Sequence, residues 1–246
     1  MQRVLKLLVL AVCGVALSVA GAAAKDEVLE KALAGLDRAY IPPLFYSSTP
    51  NSYPASVPAM GGLNAYWGEF RANYYNYRPD YETWKTYFDQ IETQIDMANA
   101  ALAGNNFPAM QTALQGVRKV LVVFRPNNGF PKFITDKLTN FHGPMEDIAR
   151  TVADSVLTEE EILKIANVLP AASLLWLDVE KCSVDPAIWG FSPEQMSVLY
   201  ALIAQERSNL NALAAALESG DNIQIKAAAQ KVKPAFANVY KAFGNF

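Results

Sequence analysis

Ala215-Ala216-Leu217-Glu218-Ser219-Gly220-Asp221-Asn222, followed by Lys226-Ala227-Ala228-Ala229-Gln230-Lys231-Val232-Lys233, is the stretch that decides the fold. It reads as the end of one helix, a Gly-Asp turn and an alanine-rich amphipathic second helix. Glycine suits the close of the first helix, and aspartate suits the cap of the next. The same pattern stands 115 residues earlier, where Ala100-Ala101-Leu102 falls on Ala215-Ala216-Leu217, Ala113 on Ala228, Gln115 on Gln230, Val117 on Val232 and Arg118 on Lys233. Apolar character also matches at Phe88 and Ile203, Ile95 and Leu210, Met110 and Ile225, and Leu121 and Phe236. The chain therefore reads as a duplication.

Working outward, helix punctuation assigns four segments to each half. Asp26 to Tyr40 spaces Val28, Leu29, Leu33 and Leu36 helically and stops at Ile41-Pro42-Pro43. A loop rich in Ser, Pro, Asn and Tyr covers Ser47 to Pro58, and helices follow over Ala59 to Tyr77, Asp80 to Ala103 and Asn106 to Arg125. Asp80 caps the third, and Asn105 or Asn106 with Pro108 just inside starts the fourth. Pro126-Asn127-Asn128-Gly129 is the boundary between halves. The second half opens with a helix from Pro131 to Asp154, kinked at Pro144. Thr158-Glu159-Glu160-Glu161 and Ser192-Pro193-Glu194-Gln195 are capping boxes that open the next two helices, the first of which ends near Lys181. The last helix leaves Gly220-Asp221-Asn222 and reaches Phe243. The expected fold is all-α: two tandem antiparallel four-helix bundles, residues 25–126 and 131–246, behind a signal peptide of residues 1–24.

The turn at Gly220-Asp221 and the helix after it, with Phe243 near the end, resemble the last two helices of cytochrome c′. Ile165-Ala166-Asn167-Val168-Leu169 resembles that family's second helix. The likeness covers Lys132 to Phe246 and, more faintly, Asp26 to Arg125. It implies a four-helix haem-binding bundle, but the family's Cys-x-x-Cys-His attachment is missing. Phe236, Val239 and Tyr240 stand in its place in the second half, and Leu121, Phe124 and Arg125 in the first. Thioether-bound haem is therefore excluded from both halves. A related b-type bundle holds haem without covalent links, through Met on its first helix and His on its last. By that resemblance Tyr240, with His142 and Met145, is the alternative ligand set for haem b, and tyrosine is a chemically competent ligand for ferric haem. Phe236 and its aromatic neighbours are instead suited to fill the space a haem would need.

Other chemistry has little support in the residues. His142 is the only histidine and forms an i, i+3 pair with Met145, a partial copper site that lacks further His or Cys ligands. Placed before Gly143-Pro144, it reads rather as a capping or surface residue at a helix start. Glu159-Glu160-Glu161 favours a helix dipole and needs no cation. The Glu-x-x-His pattern of di-iron bundles, a nucleophile triad and the Gly-rich phosphate signatures are all absent from the sequence. No enzyme activity is expected. The densest unusual feature is aromatic: Tyr66, Trp67, Phe70, Tyr74, Tyr75, Tyr77, Tyr81, Trp84, Tyr87 and Phe88, with Tyr46 and Tyr53 before them. Part of this set must form core. With Asn64, Arg71, Asn73, Asn76 and Arg78 interspersed, Tyr66, Trp67, Tyr74, Tyr75, Tyr77, Tyr81 and Trp84 are expected to form a surface for a partner protein or small apolar ligand.

The N-terminus supplies the address. Arg3 and Lys6 precede an apolar run from Leu7 to Val19, and Ala22-Ala23-Ala24 precedes Lys25-Asp26-Glu27, the three parts of a secretory signal. The run is short of the roughly 20 residues of a bilayer span, so no stable span is expected after cleavage and the mature chain is expected in the periplasm. An uncleaved anchor, or a lipoprotein on Cys13, are the competing readings. The lipobox reading conflicts with Val12, where a small residue belongs. Cleavage leaves 19 basic against 24 acidic residues, a net charge of −5 that argues against a nucleic-acid partner. Cys182 then has no intrachain disulfide partner and reads as a buried, inert thiol. The expected function is that of an exported, haem-free accessory or binding protein, with electron transfer through haem or copper as its competitor. Mass spectrometry of the exported protein should find Lys25 as the first residue, and an intact N-terminus would refute the cleavage assignment.

Overall fold

Three side chains suited to capping do cap helices. Thr158 Oγ1 and Ser192 Oγ each accept from the N–H three residues on, at 3.3 Å, and Glu161 and Gln195 return bonds of 2.8 Å to the Thr158 and Ser192 amides. Asp221 Oδ1 accepts from the Ile223 and Gln224 amides at 2.9 and 3.2 Å. The first-half counterpart of this last cap is Asn106, whose Oδ1 accepts from the Ala109 amide at 3.1 Å. The residues just before these two caps, Asn105 and Gly220, are both left-handed, with φ of 54° and 67°. Glycine adopts that conformation without penalty, and asparagine tolerates it better than most residues.

The computed structural model describes residues 27–49, 51–78, 81–153 and 156–246, and these form only helices and their connections. In chain order the helices are α1 (27–47), α2 (Tyr53–Tyr74), α3 (Glu82–Ala103), α4 (Phe107–Asn127), α5 (Ile134–Thr151), α6 (Glu159–Glu180), α7 (Pro186–Trp189), α8 (Pro193–Ser219) and α9 (Asn222–Lys241). The signal-peptide residues 1–24, the expected cap at Asp80 and the expected helix end at Asp154 lie outside the described residues.

Several boundaries depart from the sequence reading. α1 does not stop at Pro42-Pro43 but runs on to residue 47, with both prolines buried. Proline inside a helix costs about 3 kcal/mol. Here Tyr40, Ile41 and Leu44 are buried on the same turns, and tertiary packing of that kind overrides local propensity. α2 begins at Tyr53, six residues before the expected Ala59, with a proline in its first turn where the missing N–H costs nothing. Pro144 lies within α5, which starts at Ile134 because Asp136 Oδ2 accepts from the Phe133 amide at 2.8 Å. The short α7 has no counterpart in the expected order.

Packing follows the hairpins. α3 packs on α4 and α2 on α3; α5 packs on α6 and α9, α6 on α8, and α8 on α9, which closes a four-helix circuit. α6 is long and apolar enough to cross a bilayer by composition alone, but its Ile165, Leu169, Ala172, Trp176 and Val179 are buried in the fold. α1 joins the two sides. Tyr66 of α2 lies so close to Gly35 that a Cβ there would meet its hydroxyl at 2.0 Å, and that hydroxyl donates to the Ala32 carbonyl at 2.8 Å. Tyr40 of α1 and Tyr240 of α9 share a hydrogen bond of 2.5 Å. Arg38 holds the C-terminal end, donating to Asn245 Oδ1 at 2.7 Å and to the Trp189 carbonyl. One continuous apolar core results, running from Leu29 to Phe243.

At its centre Arg125 of α4 is wholly buried between two carboxylates. It reaches Asp37 of α1 at 2.6 Å and Asp136 of α5, while Thr135 donates to Asp37 at 2.5 Å. Two acids share one cation. Burial pushes Asp37 up to about 6 against the pull of Arg125, with the Asp136 charge adding to the rise. Burial raises Asp136 as well. The same burial works against the guanidinium charge, but the two carboxylates outweigh it and hold Arg125 protonated. Asp37 thus binds its proton more tightly folded than unfolded. Its titration supports the fold fully below the unfolded value near 4, and that support is lost as pH rises through about 6. Arg125→Met would strand both acids in the core and is expected to cost about 3–5 kcal/mol in urea unfolding. A loss under about 1 kcal/mol would show that the network carries little.

Candidate functional site

Where α1, α4, α5 and α9 meet, the core leaves a cavity of about 170 Å³. The helical spacing that buries Leu29, Leu33, Leu36 and Tyr40 in α1 recurs in α5 at Ile134, Leu138, Phe141 and Met145. This four-three-four spacing points successive side chains at one face. α1 contributes Ile41, Leu44 and Phe45 to the cavity wall, α5 contributes His142, Met145 and Glu146, and α9 contributes Lys233, Phe236, Ala237 and Tyr240. From α4 come Gln111, Gln115 and Arg118. Its lining is mostly apolar, with polar groups at one side, the usual make-up of a small-molecule site.

The alternative haem-ligand set, His142, Met145 and Tyr240, lines this one cavity. His142 is neither a helix cap nor a surface residue: it sits inside α5, half-buried, its ring 5.8 Å from that of Phe236. Burial lowers it to about 4, and the nearby Arg118 charge pushes the same way, so the imidazole is neutral at ordinary pH. Its Nε2 stands 3.6 Å from Glu146, too far for a hydrogen bond. Glu146 is instead engaged by Lys233 at 2.8 Å on the rim. Met145 is buried. The Tyr240 hydroxyl is committed to Tyr40, and burial raises both phenols, so neither is a ready phenolate. Phe141, Phe236 and Tyr240 form a run of ring contacts 5.7 and 5.8 Å apart, which occupies part of the space beside the cavity. No group of three His, Cys, Asp or Glu suited to a metal ion occurs among the described residues.

Arg118 was legible only as the repeat partner of Lys233. It is 4% exposed, and its Nε has no hydrogen-bond partner. Its guanidinium lies 5.8 Å from the Tyr240 ring centre, over the face.

The aromatic helices turn out otherwise than expected of a contact surface. Trp67 and Trp84 are 3% and 0% exposed. Trp84 packs on Phe88 and Phe124 at 5.3 and 5.0 Å and donates Nε1–H to the Tyr74 carbonyl at 2.8 Å, so these two tryptophans are core and present nothing to a partner. Tyr66, Tyr74, Tyr75 and Tyr77 are half-buried against that core, and of the seven only Tyr81, at 46%, is exposed. Large rings pack into the interior of α2, α3 and α4, and composition alone cannot assign them to a face. Cys182 is half-buried just past α6, and burial pushes its thiol up, which disfavours the reactive thiolate.

The chain matches no protein-family model, no curated protein and no solved structure.

Because the chain has one histidine, its imidazole proton resonance reports this cavity without ambiguity. It should titrate with a midpoint near 4. The unfolded chain takes up this proton first, so the contribution of His142 to stability is present above pH 6.5 and lost as pH falls through about 4. A midpoint near 6.5 would mean that His142 is solvated and the cavity wall is wrongly assigned.

Proposed function

We propose that this chain is an exported, non-enzymatic binding protein built on two tandem four-helix bundles of the cytochrome c′ type, and that its ligand occupies the cavity at the seam of α1, α4, α5 and α9. The circuit of α5, α6, α8 and α9, the matched turns at Asn105-Asn106 and Gly220-Asp221, and the matched spacing of α1 and α5 support the tandem reading. The observation that carries the binding reading is the cavity itself. The cavity is partly open to solvent and holds about 170 Å³, and an apolar cavity near 150 Å³ is known to accept benzene. A small, largely apolar molecule is the occupant of matching size. A second exported protein remains the alternative partner, with Tyr81 and Tyr53 as its exposed aromatic contacts.

The second reading is electron transfer through noncovalent haem or copper, favoured by the convergence of His142, Met145 and Tyr240 on one cavity. Against it stand the benzene-scale volume and the hydrogen bond that commits Tyr240 to Tyr40.

Titration with benzyl alcohol should shift the His142 resonance saturably, and Ala237→Phe, which fills the cavity, should abolish the shift while leaving the protein folded. No saturable shift in the unaltered protein would defeat the binding reading. A stoichiometric Soret band on addition of haem would replace it with the electron-transfer reading.

A further inference from the structure

We infer that the ligand is a small organic acid whose carboxylate pairs with Arg118 and whose apolar body fills the rest of the cavity. This rests on the cavity being a binding site. The protein buries two arginines on α4, one turn-pair apart, and treats them differently. Arg125 is held by two carboxylates at its own side of the core. Arg118 is nearly as buried, yet no ion pair joins it to a carboxylate among the described residues; the Nε of both arginines lacks a hydrogen-bond partner, so the difference lies in the counter-charge. A buried guanidinium without a counter-charge is strongly unfavourable, so such a group is a place where an anion is wanted.

The surroundings narrow the class of anion. Several polar groups that share the cavity wall with Arg118 are neutral: the phenol of Tyr240, the imidazole of His142 and the amides of Gln111 and Gln115. Glu146, the one carboxylate in the wall, is bonded to Lys233, and Lys241 adds a further positive charge 3.8 Å from the Phe45 ring centre. The cavity is therefore net positive at one side. Ile41, Leu44, Phe45 and Phe236 add apolar wall to the cavity, which disfavours bare phosphate or sulfate and favours an anion carrying a hydrocarbon part. A planar carboxylate matches the planar fork of a guanidinium. The volume matches a body of about the size of one six-membered ring.

Benzoate and benzyl alcohol are near-isosteric and differ in charge, so the purified full chain can be titrated with each while the His142 resonance locates the binding. Benzoate should bind at least about tenfold more tightly, the difference a charge-assisted hydrogen bond makes. Arg118→Gln should bring the two affinities together while keeping benzyl alcohol binding, and should not lower the unfolding midpoint. Equal affinities in the unaltered protein would overturn the carboxylate assignment and leave the cavity reading intact. Binding of neither probe would overturn both. Benzoate preference that survives in Arg118→Gln would assign the anion to Lys233 or Lys241 and overturn the role given to Arg118.

Discussion

The contact between Arg125 and the carboxylates of Asp37 and Asp136 is the constraint on which the rest of the structure depends. It fixes α4 against α1 and α5 where the N-terminal and C-terminal helices meet. Apolar packing alone is tolerant of small slides, because side chains of similar size interchange. A guanidinium fork between two acids is not, since moving any of the three leaves a charge buried without its partner. Tyr40 and Tyr240 lie one turn beyond this network on α1 and near the end of α9, and their shared hydrogen bond extends the same constraint to the last helix. With those helices fixed, the cavity beside them keeps a defined shape.

The two buried arginines of α4 give the seam an uneven character. Around Arg125 two carboxylates share one cation, and burial, with the Asp136 charge adding to it, pushes Asp37 up to about 6. Around Arg118 the balance is missing, the neighbouring histidine is driven neutral, and the void lies on that side. An interior whose buried cation is paired with carboxylates in one place and lacks a counter-charge beside a cavity a few residues along the same helix departs from the close packing and charge pairing usual in protein cores. Such departures are where binding is expected.

What the sequence made legible was local. Thr158, Ser192 and Asp221 cap helices through bonds to residues two or three positions away, so their roles follow from adjacent letters. The all-helical class was legible for the same reason. The end of α1 was not, because the cost of Pro42 and Pro43 is set against burial by helices far along the chain. Trp67 and Trp84 announced an aromatic cluster but not which way it faced, and the half-empty rows of polar neighbours pointed outward when the rings pointed in. His142, Met145 and Tyr240 were found as residues of unusual type, yet their meeting in one cavity needed the register set by Arg125. Arg118, the residue that gives that cavity its charge, carried only one signal: its match to Lys233 in the repeat, two cations on corresponding faces of α4 and α9.

If the charge network makes the N-terminal and C-terminal helices one cooperative body, they must unfold together. Hydrogen exchange read by mass spectrometry along a urea series follows both sides at once, through peptides from α2 and α3 and from α6 and α8. The predicted result is loss of protection at a single shared midpoint. Two separate midpoints would contradict it, and would mean that the seam, with its buried arginines and its cavity, is a contact between independent units.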